Sequence, residues 1–143
     1  MPRIVREAEV DWEGTTARGN GVVRALSSGS FELASTIASR VEIHQGKTSP
    51  EELIAAAHAA CFSMALSHGL AQGGTPPDRL DVDATVTFVP GTGITKIELA
   101  VDATVPGIDE DAFRAAAETA KENCPVSTAL ASVPEITLDA TLS

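Results

Sequence analysis

Two kinds of pattern divide the chain. Several short stretches alternate apolar and polar residues, as strands do, while two longer ones carry helical spacing or are apolar throughout. Val82, Ala84, Val86 and Phe88 share one face against Asp83, Thr85 and Thr87 on the other. After the turn Pro90-Gly-Thr-Gly93 the pattern resumes with Ile97, Leu99, Val101 and Ala103. This predicts an antiparallel hairpin with one face buried and the other wet. Earlier, Ile4 to Trp12, Asn20 to Leu26 and Ser30 to Ile37 read as short strands punctuated by Gly14, Gly19, Gly21 and Ser27-Ser-Gly29, with Gly19 and Gly21 read as turn residues. They predict an antiparallel meander with Arg18 on its first connection, and Glu135 to Leu142 closes the chain as a further strand.

The strongest helical signal begins at Ser49. Ser49 is placed as N-cap, Pro50 at the first helical position, and Glu52 three residues after the cap, the pattern of a capping box. From Leu53 to Leu66 the helix is apolar except for His58 and Ser63, so it is expected to be buried on nearly every side. That run is shorter than the roughly 20 residues that span a bilayer. Ser39 to Thr48 reads as a polar approach to this helix, and Gly69 with Gly73-Gly74-Thr-Pro-Pro77 ends it near Ala71. Asp109 can cap a helix over Glu110 to Glu122, with Phe113, Ala116, Ala117 and Ala120 on its inner stripe. Asn123-Cys124-Pro125 then opens a short helix through about Ser132. The order βββ–α–ββ–αα–β is α+β, in one domain spanning residues 1–143.

Composition narrows the function classes. The chain has 143 residues, 43% hydrophobic and 21% charged, as in globular proteins. Its net charge of −10 argues against nucleic acid and anionic membrane surfaces as partners. The N-terminus MPRIVREAEV has charges but no apolar run, so no signal peptide is expected and the expected compartment is the cytoplasm.

Two cysteines carry the candidate chemistry. Cys124 precedes Pro125 and so falls at a helix N-cap, where exposed N–H groups favour a thiolate. Cys61 lies about three turns inside its helix, where burial raises a thiol's pKa. Local electrostatics therefore nominates Cys124 as the nucleophile, and Cys61 becomes reactive only if a cation, best an arginine, reaches it. Glu51 is a first-turn carboxylate ten residues before Cys61, about 15 Å along one helix. Two such helices packed antiparallel across a dimer can bring the two together. His58 sits one turn before Cys61 and reads first as a hydrogen-bonded core histidine. The close ligand pairing of a zinc site is missing, so no metal is expected. No G-x-S-x-G, GxGxxG, P-loop or His-Glu-x-x-His motif occurs.

Pro50-Glu-Glu-Leu-Ile-Ala-Ala-Ala-His-Ala-Ala-Cys61-Phe-Ser-Met-Ala-Leu-Ser67 resembles the signature helix of the OsmC/Ohr peroxidases. Glu122-Asn-Cys124-Pro-Val-Ser127 resembles their second cysteine motif, and His58 with Phe62-Ser63-Met64 is closer to the OsmC branch. The resemblance implies antiparallel sheets around a long buried central helix, in an intertwined homodimer with active sites at the subunit interface. It implies thiol-dependent reduction of organic hydroperoxides, and more weakly of hydrogen peroxide, in stress defence without metal or other cofactor. Cys61 then corresponds to the peroxidatic cysteine and Cys124 to the resolving one, reversing the assignment from local electrostatics. The family's early-loop arginine matches Arg18, with Arg24 as the alternative, and its helix-start carboxylate matches Glu51. Leu53, His58, Phe62, Met64 and Phe88 are the candidate walls of an alkyl pocket. The reductant is expected to be a dithiol, often a lipoyl group in this family. Two other readings remain: a non-enzymatic dimeric ligand-binding or stress protein of the same fold, and a thiol-transfer enzyme.

Overall fold

The computed structural model describes residues 2–143. Its elements run β1 (Ala8–Glu13), β2 (Asn20–Ala25), β3 (Glu32–Ser35), α1 (Ile37–Val41), α2 (Pro50–Gln72), β4 (Arg79–Val89), β5 (Gly93–Thr104), α3 (Glu110–Asn123), α4 (Pro125–Ala129) and β6 (Glu135–Leu142). The class is α+β, as the pattern predicts. The chain divides into two compact units, one running to Leu53 and the other from Ile54 to Ser143.

In the first unit β1, β2 and β3 form the expected antiparallel meander in that order. Gly21 faces Trp12 across the β1–β2 pair, and a Cβ there would come within 2.9 Å of the indole. Only glycine leaves room for the ring. Val10, Val23 and Leu33 line up across the three strands, and Val10 and Leu33 stand exposed. The third strand is shorter than expected because Thr36 turns the chain into a helix. Thr36 Oγ1 accepts from the Ser39 N–H at 3.0 Å, and Ser39 Oγ accepts from the Thr36 N–H at 2.9 Å. This reciprocal cap opens α1, where the sequence read as a polar approach. The Thr48 N–H donates to the Ala34 carbonyl at 2.8 Å, which ties the start of α2 back to the sheet.

The start of α2 follows the sequence in part. Ser49 Oγ accepts from the Glu52 N–H at 3.2 Å, while the Glu52 carboxylate accepts from the Thr48 hydroxyl at 2.7 Å instead of closing the box. At the other end Gly74 has φ of 89°, with its N–H on the Ala71 carbonyl and the Thr75 N–H on that of Leu70. That pair of bonds is a Schellman motif, and the positive φ favours glycine there. The helix has 23 residues and by length and composition alone could cross a membrane. Its packing identifies it instead as a core helix: His58, Phe62, Leu66 and Leu70 form one buried stripe. Burial on every side is not observed, since Ala57, Ala60, Met64 and Ala71 form an exposed stripe opposite. Among the described residues of one chain nothing covers that line.

In the second unit β5 is central. It pairs antiparallel with β4, as expected, and parallel with β6, which was not. The helices α3 and α4 carry the chain back to the start of β5, and a crossover of that length permits parallel pairing. Leu99, Val101 and Ala103 of β5 pack with Phe62, Leu66 and Leu70 of α2 and with Phe113, Ala117 and Ala120 of α3. Asp109 caps α3 by accepting from the Ala112 N–H at 2.8 Å. The opposite face of the sheet, with Asp81, Asp83, Thr85 and Thr87, is wet. Phe113→Ala, at a fully buried ring, is expected to lower stability by about 3–5 kcal/mol. Asp83→Ala on the wet face should change it by less than about 0.5 kcal/mol, with urea denaturation at fixed protein concentration as the measurement.

Candidate active site

Pro125 decides where Cys124 sits. Proline has no N–H to continue α3 and pushes the residue before it out of the helical region. Cys124 is accordingly extended, with φ −61° and ψ 121°. Its N–H closes α3 on the Ala120 carbonyl at 2.9 Å, and its carbonyl accepts from the Thr128 N–H at 3.1 Å to open α4. One residue thus caps two helices. Its side chain is fully buried, and its thiol is a hydrogen-bonding neighbour of the Cys61 thiol on α2. Both cysteines are free, and Cys61 is half-buried.

The pair divides its acidity unequally. Burial pushes the Cys61 thiol up, its hydrogen bond to Cys124 pushes it further, and the Val126 N–H only partly offsets them. Burial also raises Cys124, but donors outweigh it: the Cys61 thiol, the N–H and hydroxyl of Ser127, and the N–H of Val126. The sulfur makes no well-formed cap bond in the first turn of α4, yet these groups converge on it. Cys124 is therefore the more acidic thiol, as local electrostatics anticipated. Behind it lies a histidine. His58 is fully buried, and its Nε2 is 2.6 Å from Ser127 Oγ. Burial lowers the His58 pKa, so the ring is neutral at pH 7.

In the first unit Glu51 is buried and takes a cation that the sequence did not nominate. Arg40 Nε lies 3.1 Å from both carboxylate oxygens, and Arg40 Nη2 is 2.8 Å from Oε2. This is a bidentate arginine–carboxylate pair, in which the bond to Glu51 raises the Arg40 pKa against the opposing effect of burial. Arg18 occupies the β1–β2 turn, exposed, with its N–H on Thr15 Oγ1 at 3.2 Å. Arg24 pairs with Asp11 at 2.6 Å and also with Glu9 and Glu32. Glu51 is thus matched with neither Arg18 nor Arg24. Arg40 was hidden because Ser30 to Ile37 reads as one strand. Thr36 and Ser39, at N-cap and N3 spacing, were the signal for the short helix that carries it.

The candidate pocket residues separate. Phe62 and His58 are sealed in the interior, Leu53 and Phe88 are half-buried, and Met64 is 72% exposed. Met64 borders an open cleft of about 600 Å³ with Ser63, Ser67, His68 and the segment Pro77–Leu80. Among the described residues no cluster of His, Cys, Asp or Glu could hold a metal ion.

Comparison with known proteins adds to this geometry. A family model described as OsmC-like protein matches residues 43–139. Peroxiredoxin OsmC of Escherichia coli (strain K12) is 43% identical over 139 residues, 95% of each chain. An organic hydroperoxide resistance protein of Xanthomonas axonopodis pv. citri is 33% identical over 94 residues, 64% of this chain and 65% of that one. In structure, an organic hydroperoxide resistance protein OsmC from Legionella pneumophila superposes with a TM-score of 0.70 at 22% identity, over 99% of both chains. That last likeness speaks to fold alone. Because Glu51 is buried against Arg40, Arg40→Ala is expected to cost about 1–3 kcal/mol by leaving the carboxylate without its donors. Arg18→Ala should cost less than about 0.5 kcal/mol. Urea denaturation of the two variants checks the pairing.

Proposed function

Since the chain belongs to the OsmC-like family, we propose that it is a thiol peroxidase that reduces organic hydroperoxides to alcohols, and hydrogen peroxide more weakly, in stress defence. The observation that carries this reading is the contact of two reduced thiols of unequal acidity, brought together by α2 and the α3–α4 break. The names of the Escherichia coli and Xanthomonas relatives support the same chemistry. The Cys61 thiolate attacks the outer peroxide oxygen; the O–O bond breaks, an alkoxide leaves as the alcohol once protonated, and Cys61 becomes a sulfenic acid. The Cys124 thiolate then attacks the Cys61 sulfur. A disulfide forms, and the departing hydroxide takes a proton to become water. A dithiol reductant, such as a lipoylated protein, restores both thiols by exchange. No metal or organic cofactor enters these steps.

Cys61 needs a cation to react first, because burial and Cys124 both oppose its ionisation. Arg40, held in place by Glu51, supplies it in this reading, with Arg18 on the early loop as the alternative. Glu51 and Cys61 are about 15 Å apart along one helix, so the cation comes from a second copy whose α2 packs antiparallel on the first. The exposed stripe of Ala57, Ala60, Met64 and Ala71 suits such an approach, because small side chains let helices come close. Leu53, Met64 and Phe88 then face the alkyl group, while His58 and Phe62 support the wall from inside. The proposed compartment is the cytoplasm.

Single substitutions test the roles. Cys61→Ser should abolish hydroperoxide turnover, and Cys124→Ser should permit one oxidation per chain and trap a sulfenic acid that dimedone labels. Arg40→Ala should slow Cys61 oxidation by about a hundredfold, with Arg18→Ala near the parent. The reverse order of the two arginines moves the role to Arg18. A thiol-transfer enzyme, which the acidity of Cys124 favours, would instead lose all reaction with Cys124→Ser and keep the first step with Cys61→Ser.

A further inference from the structure

Behind the thiol pair lies a polar chain that the steps above do not use. His58 Nε2 is 2.6 Å from Ser127 Oγ, and His58 Nδ1 is buried with no hydrogen-bond partner. Ser127 is itself buried and stands at the third position of α4, three residues after the N-cap Cys124. From that position the Ser127 hydroxyl, bonded to the imidazole at its oxygen, is also among the donors that act on the Cys124 sulfur.

Proton counting assigns the direction of the chain. A hydroxyl has one proton to donate and two lone pairs to accept with. If the imidazole proton is on Nε2, the ring donates to Ser127 Oγ, the hydroxyl proton is free for the sulfur, and Nδ1 keeps only an unpaired lone pair. If it is on Nδ1, a buried N–H is left without an acceptor, and Ser127 must donate to the ring instead of to Cys124. Orphaned buried N–H groups are the rarer and costlier defect. The Nε2–H form is therefore the one this packing selects. We propose that His58 is a positioning residue for the resolving thiol: its Nε2–H occupies a lone pair of Ser127 Oγ, which turns the Ser127 hydroxyl proton toward Cys124 Sγ and prepares that sulfur to attack the Cys61 sulfenic acid. No proton is transferred along the chain; each group only donates a hydrogen bond.

Two further observations agree. Burial keeps His58 neutral, and Cys124 is shifted downward with the Ser127 hydroxyl among its donors. The other groups acting on the sulfur are the Cys61 thiol from α2 and the N–H groups of Val126 and Ser127 from α4. On α3, Lys121 is engaged with Glu118. Calling Cys124 the resolving thiol rests on the peroxidase reading, whereas the hydrogen-bond chain does not.

Long-range ¹H–¹⁵N correlation spectra of the reduced, histidine-labelled protein read the tautomer directly. His58 is expected as Nε2–H, and an Nδ1–H ring overturns the proposal. The ultraviolet thiolate band of Cys61→Ser then titrates Cys124 alone. Adding Ser127→Ala or His58→Leu should move that titration up by about one pH unit, a tenfold loss of thiolate below it. Both changes together should move it no further. His58→Gln, whose amide N–H stands near the position of Nε2, should titrate with the parent. A folded His58→Leu that titrates with the parent while Ser127→Ala shifts reduces His58 to packing. Ser127→Ala titrating with the parent removes the chain altogether. Should His58→Leu fail to fold, the tautomer, His58→Gln and Ser127→Ala still decide. None of these readouts uses a peroxide, so failure of the peroxidase reading and failure of this one are separable.

Discussion

The structure depends on a break in a helix. Had α3 continued past Asn123, Cys124 would be one more residue on its surface, with a side chain set by helical spacing. Pro125 forbids that, because it has no N–H to offer the Lys121 carbonyl one turn back and forces its predecessor into extended backbone. The cysteine is turned instead toward α2, and that turn brings its sulfur to the Cys61 thiol. The rest of the second unit serves to hold the two helices in this relation. Phe62, Leu66 and Leu70 fix α2 against β5, and Phe113, Ala117 and Ala120 fix α3 against the same core.

The contact sets up an electrostatic conflict. Of the two neighbouring thiols, Cys124 is lowered by the donors around it, while burial raises Cys61. A peroxidatic Cys61 needs the opposite order at the moment of attack. No cation of the second unit acts on its sulfur, whereas the first unit holds a guanidinium fixed on a buried carboxylate. In the proposed dimer these two halves of the chemistry belong to different copies. The unequal acidity then becomes useful after the first step, when Cys124 must be the nucleophile.

Much of this was legible in the sequence, and the exceptions share a cause. Ser49-Pro50 and Gly73-Gly74 marked both ends of α2, and the alternation over residues 82–103 gave the β4–β5 hairpin with its wet and dry faces. Cys124-Pro125 announced the helix break. Local signals therefore gave local structure. The parallel pairing of β6 with β5 depends on how a long crossover returns, which no local pattern encodes. Arg40 was missed because β-like alternation through Ile37 masked the Thr36 cap that starts its helix. The exposed stripe of α2 is apolar in sequence and open in the single chain, so composition alone predicted burial that one chain does not provide.

The central claim is that Cys61 and Cys124 act together as a redox pair, and intact mass tests it most directly. The reduced protein would receive one equivalent of cumene hydroperoxide or of hydrogen peroxide, with free thiols counted alongside. A working redox pair should lose both thiols with a mass decrease of two hydrogens, faster with the organic peroxide. Two thiols that survive either oxidant would contradict it and leave the cysteines as packing residues of the fold.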